Sequence, residues 1–157
     1  GKEKRNDLDK QLKELDQSLE GLYLTPLDIV EVQGGNVLHG MKSCDQGYEG
    51  FGEAYFSMIE SGVIKGWKRH KEMTLNLIVP IGSIRFIMID ENKTYQVVTL
   101  SNENYKRLTV PPMLWMAFQG ISENTSMVLN IANIPHDPDE IDRKELNEIA
   151  FDWSIHS

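Results

Sequence analysis

One histidine, His70, stands inside a run of cations. Lys65, Lys68, Arg69 and Lys71 crowd around it within the stretch 62–90. Imidazole is the side chain that gains and loses its proton near neutral pH, so it is the natural general base. A fixed ammonium beside it disfavours the imidazolium and keeps the ring ready to accept a proton. The same ammonium can stabilise an enolate forming next to a carbonyl. The combination suits an anionic ligand with a proton to lose. It also suits a solvated basic edge strand, whose lysines discourage aggregation.

If residues 64–70 are extended, alternate side chains share a face. Lys68 and His70 then point one way, and Lys65, Trp67 and Arg69 the other. Without a bulge, Thr74 and Asn76 continue the face of His70, while Leu75, Leu77 and Val79 lie opposite. The parity therefore predicts a polar lining of Lys68, His70, Thr74 and Asn76 inside a barrel, with His70 as base and Lys68 as its cation. Tyr55 and Tyr105 suit stacking on a base or sugar, or plugging the barrel. His136, in the rigid turn Pro135-His136-Asp137-Pro138, suits the mouth of a barrel or a backbone-bonded turn. His39 precedes Gly40 and reads as structural, and His156 lies at the very end. One imidazole with scattered carboxylates does not make a transition-metal site, so no metal and no other cofactor is expected.

Short apolar runs separated by turn residues must position these groups. Strands are expected over 28–32, 36–41, 54–59, 73–79, 84–89, 94–100, 107–110, 114–118 and 127–131. Regular short strands of this kind predict an all-β barrel or sandwich. Before them, Leu8, Leu12, Leu15 and Leu19 recur at helical spacing, so residues 1–21 read as a helical extension or linker and 22–157 as one domain. The tail from Pro138 to Ile149 is acidic and reads as a second helix, with Asp139 as its N-cap.

The chain has 157 residues, enough for one domain, and 40% hydrophobic and 25% charged residues, ordinary for a globular protein. Its net charge of −8 argues against nucleic acid as a general partner. No apolar run is long enough to span a bilayer, and the first twenty residues lack the apolar centre of a signal peptide. Cys44 is alone, which fits a reducing cytoplasm. Gly1 in place of a methionine leaves room for an upstream segment.

The run Val63-Ile64-Lys65-Gly66-Trp67-Lys68-Arg69-His70, followed by a strand, Gly82 and a strand ending at Asp90, resembles the cupin-fold sugar-nucleotide isomerases. It is most similar to the RmlC-like, dTDP-4-dehydrorhamnose 3,5-epimerase-like group. Tyr48-Glu49-Gly50-Phe51-Gly52-Glu53-Ala54-Tyr55-Phe56-Ser57, Leu100-Ser101 before Asn104-Tyr105, and Val110-Pro111-Pro112-Met113-Leu114-Trp115 carry the likeness further, over roughly residues 25–153. The resemblance implies a jelly-roll cupin (a double-stranded β-helix) and a homodimer. The implied substrate is a nucleoside-diphosphate 4-keto-6-deoxy sugar destined for surface polysaccharide. Lys65-Gly66-Trp67 looks like the start of the epimerases' Arg-Gly-hydrophobic-His motif. Lys68-Arg69-His70-Lys71 looks like the His-x-His-Lys element of the related 3,4-ketoisomerases, with Lys68 replacing the first histidine. Both comparisons select His70. Lys65 and Arg69 become candidate diphosphate contacts. The epimerases' late tyrosine acid has no counterpart, because Asn133-Ile134-Pro135-His136 occupies that region. The resemblance thus implies an epimerase or isomerase first, a 3,4-ketoisomerase second, and a non-catalytic sugar-nucleotide binder as the rival.

Overall fold

The structure, a computed structural model, describes residues 19–154. Twelve strands account for its regular structure: β1 (Tyr23–Pro26), β2 (Ile29–Val30), β3 (Val37–Leu38), β4 (Glu53–Ile59), β5 (Ile64–His70), β6 (Leu75–Ile81), β7 (Ser83–Ile89), β8 (Tyr95–Ser101), β9 (Lys106–Val110), β10 (Trp115–Gly120), β11 (Ser126–Ala132) and β12 (Ile141–Arg143). Every pairing is antiparallel. Two five-stranded sheets result, ordered β1-β9-β6-β11-β4 and β12-β5-β10-β7-β8, with β2 and β3 forming a small ribbon.

The sequence dictates this layering. Along β7, Ile84, Phe86 and Met88 enter the core between the sheets, where they meet Leu75, Leu77, Leu108 and Val128. Ile87 and Ile89 face the other way and join Trp67, Trp115 and Ala117 in a second cluster, covered by Ile149, Phe151 and Trp153. A strand apolar on both faces must be buried on both, and the C-terminal segment supplies the outer cover. Between β6 and β7 the chain crosses from one sheet to the other at Gly82, whose φ is +84°. A Cβ there would lie 2.1 Å from the Ser126 hydroxyl, so only glycine makes the crossing.

Most expected strands lie within two residues of their observed ends, and β1 is an addition. The helical extension expected over residues 1–21 falls largely outside the described residues. Its last leucine, Leu19, is buried in the main core beside Leu22. The helix expected from Pro138 to Ile149 is replaced by a 3-10 turn (Pro138–Glu140), β12 and a second 3-10 turn (Leu146–Glu148), and among the described residues there is no α-helix. The short turn is capped by the Asp137 carboxylate, which accepts from the Asp139 N–H, so Asp139 is not the cap. The acidic composition suggested a helix start, but the backbone of residues 141–143 finds its hydrogen bonds on the free edge of β5 instead.

Candidate active site

A cavity of about 390 Å³ opens between the inner faces of the two sheets. Its deeper wall is apolar, built by Leu75, Leu77, Phe86, Val128 and their neighbours. The polar side chains reaching it are Tyr55, Ser57, Lys65, Lys68, His70, Asn130, His136 and Arg143. Three of these are fixed cations and none is a carboxylate, in a chain of net charge −8. Positive charge is thus concentrated in a cavity with an apolar floor.

Lys65 enters this cavity because β5 is bulged. Met116 of β10 pairs with Lys68, but Phe118 pairs with Lys65, so Gly66 and Trp67 together oppose the single residue Ala117. An extra residue inverts the alternation beyond it. Lys65, Lys68 and His70 therefore share the inner face, while Trp67 and Arg69 keep the outer one. The Lys65 ammonium donates to the Met58 carbonyl at 2.8 Å, tying the two sheets across the mouth. Arg69 is outside the cavity. Its Nε and Nη2 donate to Asp142 Oδ2 at 3.1 and 2.8 Å, and its guanidinium lies 4.8 Å from the Trp115 ring centre.

Thr74 and Asn76 are also excluded. The chain leaves β5 at His70 and starts β6, in the other sheet, at Leu75, so the parity counted through residues 71–74 does not hold. Leu75 and Leu77 face the cavity instead. Asn76 donates from Nδ2 to the Gly47 carbonyl and accepts from the Thr109 hydroxyl at 2.6 Å, holding the 39–52 loop against the sheet. The Thr74 N–H donates to Asn133 Oδ1. Tyr105 donates its hydroxyl to the His39 carbonyl at 2.7 Å, and burial pushes its phenol up from the ordinary value. It plugs the fold away from the cavity. Tyr55 and His136 do line it.

His70 has a partner that its own neighbourhood in sequence does not reveal. Its Nδ1 is hydrogen-bonded to Glu140 Oε1. Glu140 is 4% exposed, and its Oε2 accepts from the backbone N–H groups of Glu72 and Met73 at 3.0 and 3.2 Å. Burial works to raise the carboxyl's pKa. The hydrogen bonds from His70 and from the two backbone groups outweigh it and hold the group below its ordinary value. A carboxylate only accepts, so Nδ1 carries the hydrogen of this bond, and in that tautomer the free lone pair of the imidazole sits on Nε2.

Lys68 pairs through its backbone with Arg143 on β12, and both side chains reach the cavity. Desolvation lowers the Lys68 pKa, and repulsion from Arg143 and Lys65 lowers it further. Ser57, Asn130 and Arg143 on the cavity wall, and Glu140 behind His70, are not among the site residues expected from the sequence. The available signal was the alternation Ile141, Asp142, Arg143, where Ile141 and Arg143 face the cavity and Asp142 faces Arg69. On the opposite wall, Asn130 donates from Nδ2 to the Tyr55 hydroxyl at 3.0 Å, and its Oδ1 accepts from the Asn76 N–H. Among the described residues, no three His, Cys, Asp or Glu side chains converge to hold a metal ion.

Residues 53–149 match the family described as FdtA, WxcM-like, C-terminal. No curated protein matches the sequence. A crystal structure of a dTDP-sugar isomerase from Desulfovibrio desulfuricans superposes with a TM-score of 0.83 at 32% identity, covering 89% of this chain and 95% of that one. QdtA, a sugar 3,4-ketoisomerase from Thermoanaerobacterium thermosaccharolyticum solved with TDP, gives a TM-score of 0.70 at 16% identity over 80% of this chain and 90% of that one. RmlC, a dTDP-6-deoxy-D-glucose-3,5-epimerase from Legionella pneumophila solved with dTDP-4-keto-L-rhamnose, gives 0.73 at 16% identity over 89% of this chain and 82% of that one.

Proposed function

The chain belongs to the FdtA family (WxcM-like, C-terminal) of RmlC-like cupins, and on that premise we propose that it is a 3,4-ketoisomerase of a nucleoside-diphosphate 4-keto-6-deoxy sugar. The observation that carries the reading is His70, held by Glu140 in a cavity whose fixed charges are all positive. His70 Nε2 removes the proton from C3, next to the C4 ketone. The C3–H electron pair forms the C3–C4 double bond of an enediolate, and its negative charge settles on the former carbonyl oxygen. Lys68 stabilises that charge. The proton taken from C3 is returned to C4, and the proton of the C3 hydroxyl passes to the C4 oxygen, so the ketone moves from C4 to C3 with no net gain or loss of protons. Lys65, Tyr55 and His136 contact the substrate around this centre.

His70 and Lys68 leave the same face of one strand, so the proton is removed and restored on one side of the sugar ring. That geometry favours a ketone shift. A second reading, epimerisation at C3 or at C3 and C5, needs an acid on the opposite side, and Tyr55 is placed for it. Its oxygen accepts from Asn130 and so leaves its own hydrogen to donate. A sugar-nucleotide binder without catalysis is the third possibility.

Incubation with dTDP-4-keto-6-deoxyglucose in deuterated water separates the three. Deuterium incorporation with the ketone relocated to C3 supports the isomerase. Exchange at C3, or at C3 and C5, with an unmoved ketone supports the epimerase. Binding without exchange would sink both for this substrate.

The working unit in this reading is a homodimer. On the outer face of the first sheet, Phe56, Met58 and Ile81 are 63%, 47% and 53% exposed. The row Met58–Met127–Ile81 runs across β4, β11 and β6, with Phe56 and its partner Leu129 beside it. A self-complementary apolar face at a sheet edge suits a twofold pair.

A further inference from the structure

The wall opposite His70 buries a polar chain within an apolar surface. Asn130, Asn76 and Thr109 are 3%, 2% and 2% exposed. Polar groups so deep are costly unless hydrogen-bonded, and all three are. The Thr109 hydroxyl and the Gly47 carbonyl hold the Asn76 side chain. The Asn76 backbone N–H donates to Asn130 Oδ1 at 3.1 Å. A backbone N–H can only donate, so the oxygen of the Asn130 carboxamide must face it. Turning the amide over would set two donors against each other. Its nitrogen therefore faces Tyr55 and donates to the phenolic oxygen at 3.0 Å. Among the described residues, the phenol has no other hydrogen-bond partner. Its oxygen is engaged, its hydrogen is unused, and the side chain lines the cavity.

We propose that Asn130 is a positioning residue that presets Tyr55 as a hydrogen-bond donor, so that this wall selects a ligand oxygen able to accept. Naming that oxygen as one of a keto sugar rests on the isomerase reading, whereas the preset rests on the hydrogen bonds alone. A phenol with no fixed neighbour turns its hydrogen or its lone pair to a ligand with equal ease, and tells donors and acceptors apart poorly. With Asn130 on its oxygen, Tyr55 meets a ketone, ring or hydroxyl oxygen with its hydrogen. A ligand N–H or ammonium at the same place meets hydrogen against hydrogen. In a partly apolar cavity such a mismatch leaves polar groups unpaired, and rejection of that kind is what makes a site specific. The lysines and the arginine of the opposite wall also only donate. Both walls thus suit a ligand rich in acceptor oxygens.

Asn130→Asp reverses the preset without changing the shape of the side chain. One carboxylate oxygen still accepts from the Asn76 N–H, and the other accepts from Tyr55, whose lone pair then turns to the cavity. Titration calorimetry on the full chain compares dTDP-4-keto-6-deoxyglucose with dTDP, which lacks the sugar. The added charge weakens both ligands, and the ratio of the two affinities removes most of that effect. The ratio should fall about tenfold or more in Asn130→Asp, and about tenfold or less in Tyr55→Phe, which loses the donor without opposing the ligand. Asn130→Asp added to Tyr55→Phe should change the ratio by less than about threefold, because the phenol through which it acts is gone. A wild-type ratio in Asn130→Asp would overturn the proposal, as would an equal fall with and without the phenol. A ligand-free NMR measurement on the wild type does not depend on how the variants fold. The Asn130 side-chain amide hydrogens should show nuclear Overhauser contacts to the Tyr55 ring, and their absence would also overturn the preset. A wild type that shows these contacts but binds the keto sugar nucleotide no better than dTDP would keep the preset and remove the sugar reading. Preferential sugar binding without the contacts would do the reverse.

Discussion

The two walls of the cavity are built from the same kind of strand and do different work. The wall from β5 and β12 carries every fixed charge: Lys65, Lys68 and Arg143, with His70 locked to Glu140. The wall from β4, β6 and β11 is neutral, an apolar surface interrupted by Ser57 and by the hydrogen-bonded pair Asn130 and Tyr55. In the proposed reaction, charge on one side only means that the base and the cation that stabilises its product approach the substrate from one face. The neutral wall offers shape and one phenolic hydrogen. It is on this asymmetry, more than on the presence of a histidine, that the proposal of a ketone shift over an inversion rests.

The comparison breaks most completely at His70. His70→Asn is expected to lower ring-proton exchange about a thousandfold, the scale of a lost general base. Circular dichroism should stay unchanged, because asparagine can still hydrogen-bond to Glu140. Exchange surviving in this variant would place the base on the other wall.

Glu140→Gln comes next, with a loss of about a hundredfold in kcat, since the imidazole keeps its place but loses the charge that fixes its tautomer. The variant also has a stability signature. The folded-state pKa of Glu140 is held below its ordinary value. Its contribution is therefore complete above the unfolded carboxyl pKa and is lost as pH falls through the lowered folded value. Thermal unfolding from neutral to acidic pH should show a shallower acid-side decline in Glu140→Gln than in wild type. The decline will not vanish, because hydrogen bonding from Arg69 also lowers Asp142.

Tyr55→Phe sharpens the contrast between the walls. For a ketone shift run from the charged wall, the loss is about tenfold or less, as expected for one hydrogen bond to the substrate. Epimerisation with Tyr55 as the opposing acid would lose a hundredfold or more. Rates of exchange and of product formation, measured together, decide it. The smallest effect on chemistry is expected on the outer face of the neutral wall, where Phe56→Asp should convert the proposed dimer to a monomer in sedimentation while leaving the cavity intact.

Much of this architecture was legible in the residues. Alternating apolar runs and the turn at Gly82 pointed to the β layers, and the histidine among cations pointed to the residue that the cavity holds against Glu140. Two features were hidden for definable reasons. Parity counting assumed a regular strand, so the bulge at Gly66 and Trp67 put Lys65 on the wrong face and the sheet change after His70 misplaced Thr74 and Asn76. A bulge depends on the partner strand, here Ala117, which local sequence does not identify. Glu140 and Arg143 were hidden because an acidic stretch after a proline has the composition of a helix start. Only the unpaired edge of β5, more than 60 residues upstream, makes it a strand. Local propensity was overruled by a distant edge that needed hydrogen bonds.

The most direct test of one-sided chemistry follows the proton itself. Substrate carrying deuterium at C3 is converted in ordinary water, and the product is examined by NMR for label and configuration at C4. A base and a cation on one wall predict a 3-keto product with the new C4 hydrogen on the face from which the C3 deuteron left, and with part of the deuterium carried over. A new hydrogen on the opposite face, or inversion at C3 with the ketone unmoved, would contradict that account and move the decisive acid to the neutral wall.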